Sequence, residues 1–194
     1  MRTDGKNISR GGNQAAARLF LSWIEREFAR DRRFAAEVGV PEHVIVDTGH
    51  PNGRRMRDDA GFGDAHSAKN ALLIETGQHF SARSRDVALD AACRFLIVTG
   101  AVRADDLESF LTQAKPVRQR VLQVTQPVVA ETMEFAFTED FRGLESIAMA
   151  GTVIARDGGR EIVTPYDDGI LIQPSLRHVG PGVTVVRLAR VMDV

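Results

Sequence analysis

Near Pro116 the apolar pattern of this chain changes period. Before it, apolar residues recur mostly at helical spacing. Beyond it the segments VLQVTQPVVA, MEFAF, IAMAGTVIA, REIVTP, GILIQP and VTVVRLARV follow one another, separated by Gly, Pro and Asp-Gly turn signals. Short strands at regular spacing predict a small sandwich or barrel. The chain is thus expected to be α/β over 14–112 and all-β over 117–194, joined by a linker at Gln113–Pro116 and preceded by a flexible leader over 1–13. With 194 residues it can bury a substantial core as one or two domains.

Within the first part, Leu19, Phe20, Trp23, Ile24 and Phe28 recur at helical spacing and predict one amphipathic helix from Gln14 to about Val38. Gly39 and Pro41 should end it, since glycine suits the left-handed position after a last turn and proline cannot continue the helix. Val44–Val46 and Ala71–Ile74 read as short strands. Ser81 or Ser84 can cap a second helix, whose apolar positions Val87, Leu89, Ala91, Ala92, Phe95, Leu96 and Val98 run on to Gly100. Asp105–Leu111 reads as a short helical turn. Strand, loop and helix in this order imply a parallel α/β layer.

Chemistry gathers where the two strands end. The first is followed by Asp47, His50, Arg54, Arg55 and Arg57, the second by Glu75, Gly77, Gln78 and His79. In an open parallel sheet the groups beyond the carboxyl ends of the strands converge on one crevice, so Glu75 is expected to face the arginine loop. The connection from Thr48 to Asn70 exceeds the roughly 12–15 residues beyond which a loop is usually functional or disordered. A carboxylate at such a place can move protons, and the planar fork of an arginine suits a substrate carboxylate. The plainer alternatives are a solvated charge at a strand end and a solvated basic pair in a loop. His50 and His79 flank the strand ends as substrate contacts, and their spacing reproduces no common zinc pattern. His66 reads as exposed, His43 and His178 as structural.

Composition removes several classes. A formal net charge of −1 gives no global bias toward nucleic acid. Cys93 is the sole cysteine, which excludes an intramolecular disulfide and a cysteine-rich zinc site and fits a small buried hydrophobe in a reducing, cytoplasmic setting. No run approaches the roughly 18 apolar residues of a spanning helix, so no membrane partner is expected. The expected partner is a small molecule. An unpaired sheet edge would also favour self-association.

GHPNGRR (Gly49–Arg55) followed by LLIETGQH (Leu72–His79), a long helix and a β-rich end resembles the succinylglutamate desuccinylase and aspartoacylase family, zinc-dependent deacylases related to zinc carboxypeptidases. The resemblance implies a partial zinc-carboxypeptidase-like α/β layer followed by a small all-β, barrel-like domain. It implies a hydrolase acting on N-acyl amide bonds, or esters, of small carboxylated substrates. Glu75 matches the family's catalytic glutamate, which activates the zinc-bound water and passes its proton to the leaving amine. One of Arg54, Arg55 and Arg57 would clamp the substrate carboxylate. The family takes zinc from an H-x-x-E pair and a later histidine, yet none of His43, His50, His66, His79 and His178 has a glutamate three residues on. The resemblance therefore implies a C-terminal portion whose metal ligands lie outside this chain, inactive alone. A non-catalytic small-anion-binding or scaffold protein of the same descent is the alternative. Ile147–Arg190 also resembles the β-hammerhead of biotinyl and lipoyl carriers. A carrier needs a lysine where Tyr166-Asp167-Asp168-Gly169 stands, and the last lysine is Lys115, so that role is set aside.

Overall fold

The computed structural model describes residues 21–24, 29–47, 60–62, 69, 71–77, 80–116 and 118–192. Its frame is a seven-stranded mixed sheet in the order β3-β1-β2-β4-β10-β9-β6, with a separate three-stranded sheet β5-β7-β8. The strands are β1 Leu21–Ile24, β2 His43–Val46, β3 Leu73–Glu75, β4 Arg120–Val129, β5 Ala136–Phe137, β6 Ser146–Ile147, β7 Val153–Asp157, β8 Arg160–Val163, β9 Gly169–Ile172 and β10 Thr184–Val191. The helices are α1 Ala29–Val38 and α2 Ala82–Val98, with two 3-10 turns at Ala104–Asp106 and Glu108–Phe110.

The strand β2 shows why the sheet forms where it does. Its sequence HVIV is apolar on both faces, as a strand covered on both sides requires. Val44 and Val46 pack against Ala35 of α1 on one face. Ile45 packs with Leu122, Ile170, Ile172 and Ala189 on the other. A second core, built from Leu171, Val185, Val186 and Leu188 of the large sheet and Ile154 and Ala155 of the small one, holds the two sheets together. Phe34 of α1 meets Phe95 of α2 edge-on at 5.1 Å, fixing the helix pair.

Three sequence expectations need correction. The single helix over 14–38 is replaced, in the described residues, by β1 and the shorter α1. Leu-Ser-Trp-Ile pairs with β2 and β3 on its two sides, and the ladder hydrogen bonds outweigh a weak helical periodicity. The layer is not parallel throughout: β1 runs parallel to β2, but β3 runs antiparallel to β1. A three-residue strand such as Leu-Ile-Glu carries no directional preference of its own, so the neighbouring strand sets it. Finally, the expected division near 112–117 is crossed by one sheet, because β4 pairs in parallel with β2 from His43↔Arg120 to Val46↔Gln123.

Other features follow the sequence. Gly39 adopts φ 75° and donates to Ala35 O at 2.9 Å, closing α1. Cys93 is buried. The β7–β8 hairpin turns at Gly158 and Gly159, φ 56° and 88°, the two positive values of a tight hairpin turn. Its Asp157 accepts from Glu131 N at 2.6 Å, Thr132 N at 3.1 Å and Thr132 Oγ1 at 2.6 Å. The Thr132 hydroxyl, and then the Glu131 amide, hold the Asp157 carboxyl below its ordinary value of 3.8. A depressed carboxyl stabilises the fold above 3.8 and loses that contribution as pH falls through the folded value. Thermal melts carried down through that range should therefore show a steeper acid loss in the native chain than in Asp157→Ala, which should be less stable than the native chain at neutral pH.

Candidate functional site

Glu75 is the last residue of β3, at the edge of the large sheet, and is half-buried. Its position follows from register. Glu75 pairs with Leu21, Leu21 with His43, and His43 with Arg120, so these four residues form one row across β3, β1, β2 and β4. Residues directly opposite across a ladder share a face of the sheet. Glu75 therefore stands two strands from His43, about 10 Å between Cα atoms at the usual strand spacing.

This row lies at the amino end of β2. Asp47, which leads into the arginine loop, lies past the other end, roughly 13 Å along the strand direction. Glu75 is thus not brought to the loop by two strands ending on the same side, as a parallel layer would require. The loop arginines Arg54, Arg55 and Arg57, together with His50, His66 and His79, fall outside the described residues.

Two arrangements were missed by the sequence reading. The first is His43 with Arg120. His43 is half-buried, and burial pushes its imidazole below the ordinary 6.5; Arg120 pushes the same way and Glu42 opposes. The ring is consequently neutral at neutral pH, able to donate through one nitrogen and accept through the other. A lowered histidine contributes stability above 6.5 that is lost as pH falls toward its folded value. An NMR titration of the His43 ring should find the midpoint below 6.5, displaced upward by Arg120→Gln and further downward by Glu42→Gln. A midpoint at or above 6.5 in the native chain would contradict this environment.

The second is a partly buried ion pair. Asp47, 4% exposed, meets Arg187 of β10 with Oδ2 and Nε 3.1 Å apart. Asp47 directly follows β2, which β4 separates from β10, so the pair ties the helical layer to the β-rich part. A charged residue inside the otherwise apolar VTVVRLARV was the available signal, since arginine is seldom fully buried without a partner.

The resemblance implies zinc, and the described residues do not fit it. Among the described residues no group of three or more His, Cys, Asp and Glu side chains could hold a metal ion. Nor is any helix among them long and apolar enough to cross a membrane.

A mixed sheet backed by two helices and continued into a β-rich part is the architecture of the succinylglutamate desuccinylase and aspartoacylase structures. Three solved structures carry the comparison. A succinylglutamate desuccinylase/aspartoacylase of Rhodobacter sphaeroides matches with a TM-score of 0.60 and 14% identity, over 90% of this chain and 54% of that one. Succinylglutamate desuccinylases of Vibrio parahaemolyticus and Vibrio cholerae match with TM-scores of 0.58 and 0.56 and identities of 16% and 19%, over 90% and 89% of this chain and 49% and 48% of theirs. At such identities the likeness establishes the fold. The chain spans about half the length of these structures. No protein-family model and no curated protein matches the sequence.

Proposed function

We propose that this chain is the C-terminal part of a deacylase-type hydrolase that cleaves N-acyl amide bonds in small carboxylated substrates. The observation that carries the reading is the extent of the structural match: about nine-tenths of the chain, from the helical layer through the β-rich part, superposes on desuccinylase structures. The sequence adds the I-E-T-G strand end and the arginine-bearing loop at 49–57. In this reading Glu75 takes a proton from the attacking water and delivers it to the departing amine. One arginine of Arg54, Arg55 and Arg57 holds the substrate carboxylate through a bidentate pair, with His50 and His79 beside it. Zinc belongs to the reading through the family resemblance alone, and no step is assigned to it because the described residues offer no site.

N-succinyl-L-glutamate, named after the enzymes with this fold, is the test ligand. Calorimetric titration of the chain should show saturable binding, weakened about tenfold by loss of the clamping arginine in Arg54→Ala or Arg55→Ala. Hydrolysis should be absent from the chain alone and should appear, in zinc-containing buffer, when an H-x-x-E segment with a later histidine is joined in frame. Binding unaffected by each of Arg54→Ala, Arg55→Ala and Arg57→Ala, with no hydrolysis by the joined protein, would sink the proposal.

A further inference from the structure

A cleft of about 740 Å³ opens at the side of the β-rich part, away from the residues assigned above except Arg120. Its polar lining is Arg120, Ser146, Tyr166, Asp167, Asp168 and Arg190. A β-bulge builds it. In the β4–β10 ladder Leu188 pairs with Gln126 and Ala189 with Val124, which leaves Thr125 without an opposite residue. Bulged residues are re-aimed out of the ladder. The Thr125 hydroxyl accordingly reaches both Leu188 O at 3.1 Å and the Tyr166 hydroxyl at 2.6 Å. So held, the Tyr166 ring carries the Arg190 guanidinium 3.9 Å above its centroid. A guanidinium seated over a ring keeps N–H donors for other partners, and its planar fork suits a carboxylate taken with two donors.

The opposite charge is supplied by the turn after Tyr166. Asp167 is pinned through Oδ1, which accepts from Ala150 N at 2.7 Å. Asp168 takes the left-handed conformation, φ 53°, while its own N–H donates to Ala148 O at 3.2 Å. Arg120, Arg190 and Asp168 are exposed, and among the described residues none of them forms an ion pair. Two guanidinium groups and an uncommitted carboxylate thus line one cleft without neutralising each other.

We propose that this cleft binds the zwitterion of a free L-α-amino acid, its carboxylate on Arg190 and Arg120 and its ammonium on Asp168 and Asp167. A simple anion would leave the acidic turn unanswered and repelled; a simple amine would meet two arginines. Only a ligand with both charges satisfies both ends. The inference does not depend on Glu75 or on the deacylase reading, since it uses neither Glu75 nor the loop arginines and requires no hydrolysis.

L-Glutamine, which adds no net charge in its side chain, is the probe, and amide shifts of Ser146, Gly169 and Val191 report on the cleft. Two analogues each remove one charge: glutaramate lacks the ammonium, and L-glutamine amide lacks the carboxylate. L-Glutamine should produce saturable shifts at all three positions, with either analogue binding about tenfold more weakly or worse, as loss of a charge-assisted contact predicts. Arg190→Gln should weaken L-glutamine about tenfold, and so should Asp168→Asn, whereas Asp168→Asn should not weaken glutaramate. These side chains are exposed, so both variants should melt with the native chain. Glutaramate binding as tightly as L-glutamine overturns the proposal in favour of a plain anion site. Equal binding of the amide, or no saturable shift with L-glutamine, overturns it as well.

Discussion

Asp90→Ala should destabilise the protein by about 3–5 kcal/mol, the usual result of removing one member of a buried ion pair. Asp90 is fully buried in the middle of α2, and Arg94, one turn on, is 8% exposed. Arg94 Nε meets Asp90 Oδ1 at 2.5 Å, while its Nη2 donates to Gln113 O at 2.7 Å. Asp90 Oδ2 in turn accepts from Gln113 N at 2.9 Å. The pair thus serves both backbone groups of the residue where the helical layer hands over to β4. Without Asp90, a guanidinium is left buried with no counter-charge and the Gln113 N–H with no acceptor, and each loss is expensive away from water. The melting temperature should fall by on the order of 10 °C for a chain of this length. Asp90→Asn, which keeps an acceptor but not the charge, should lie between. A fall of less than about 2 °C in Asp90→Ala would show that the handover does not depend on this clamp.

Glu75→Ala should lower kcat by at least about 10²-fold in the form of the protein competent for hydrolysis, the usual contribution of a general base or acid. The comparison is clean because Glu75 sits half-buried at the tip of an edge strand, where truncation leaves no core cavity. Glu75→Gln, which keeps the shape and loses the proton-accepting oxygen, should be about as inactive. Arg54→Ala or Arg55→Ala should instead raise KM, unless the clamp tightens in the transition state, when kcat falls too. Equal rates of N-succinyl-L-glutamate hydrolysis by the native and Glu75→Ala proteins would remove Glu75 from the chemistry. The fold would stand, and the proposed reaction would not.

Much of the secondary structure is legible locally. The helix Ala82–Val98, the strand His43–Val46, the hairpin at Gly158–Gly159 and the succession of strands after Pro116 rest on period, turn residues and proline, which act over a few neighbours. Leu21–Ile24 was misread because its residues suit either state, and the choice was made by two partner strands from elsewhere in the chain. The apolar pattern of α2 likewise marked only part of its buried face, which includes Val87 and Ala91. Leu89 and Leu96, counted as core by period, are 45% and 39% exposed, while Asp90 and Arg94 are inside because Gln113 needs them there.

The candidate site divides in the same way. That Glu75 ends an apolar strand, and that arginines crowd the loop after Val46, are properties of the sequence by itself. So are the single cysteine and the absence of an H-x-x-E motif. Which end of the sheet Glu75 occupies was decided by the direction of β3, and direction is set by ladder hydrogen bonds between segments some fifty residues apart, not by the identity of the three side chains of the strand. The Asp47–Arg187 and His43–Arg120 pairings, and the cleft beneath Tyr166, join residues still further apart along the chain. Their side chains have the same chemistry in any order; only the register of β2, β4 and β10 places them within reach of one another.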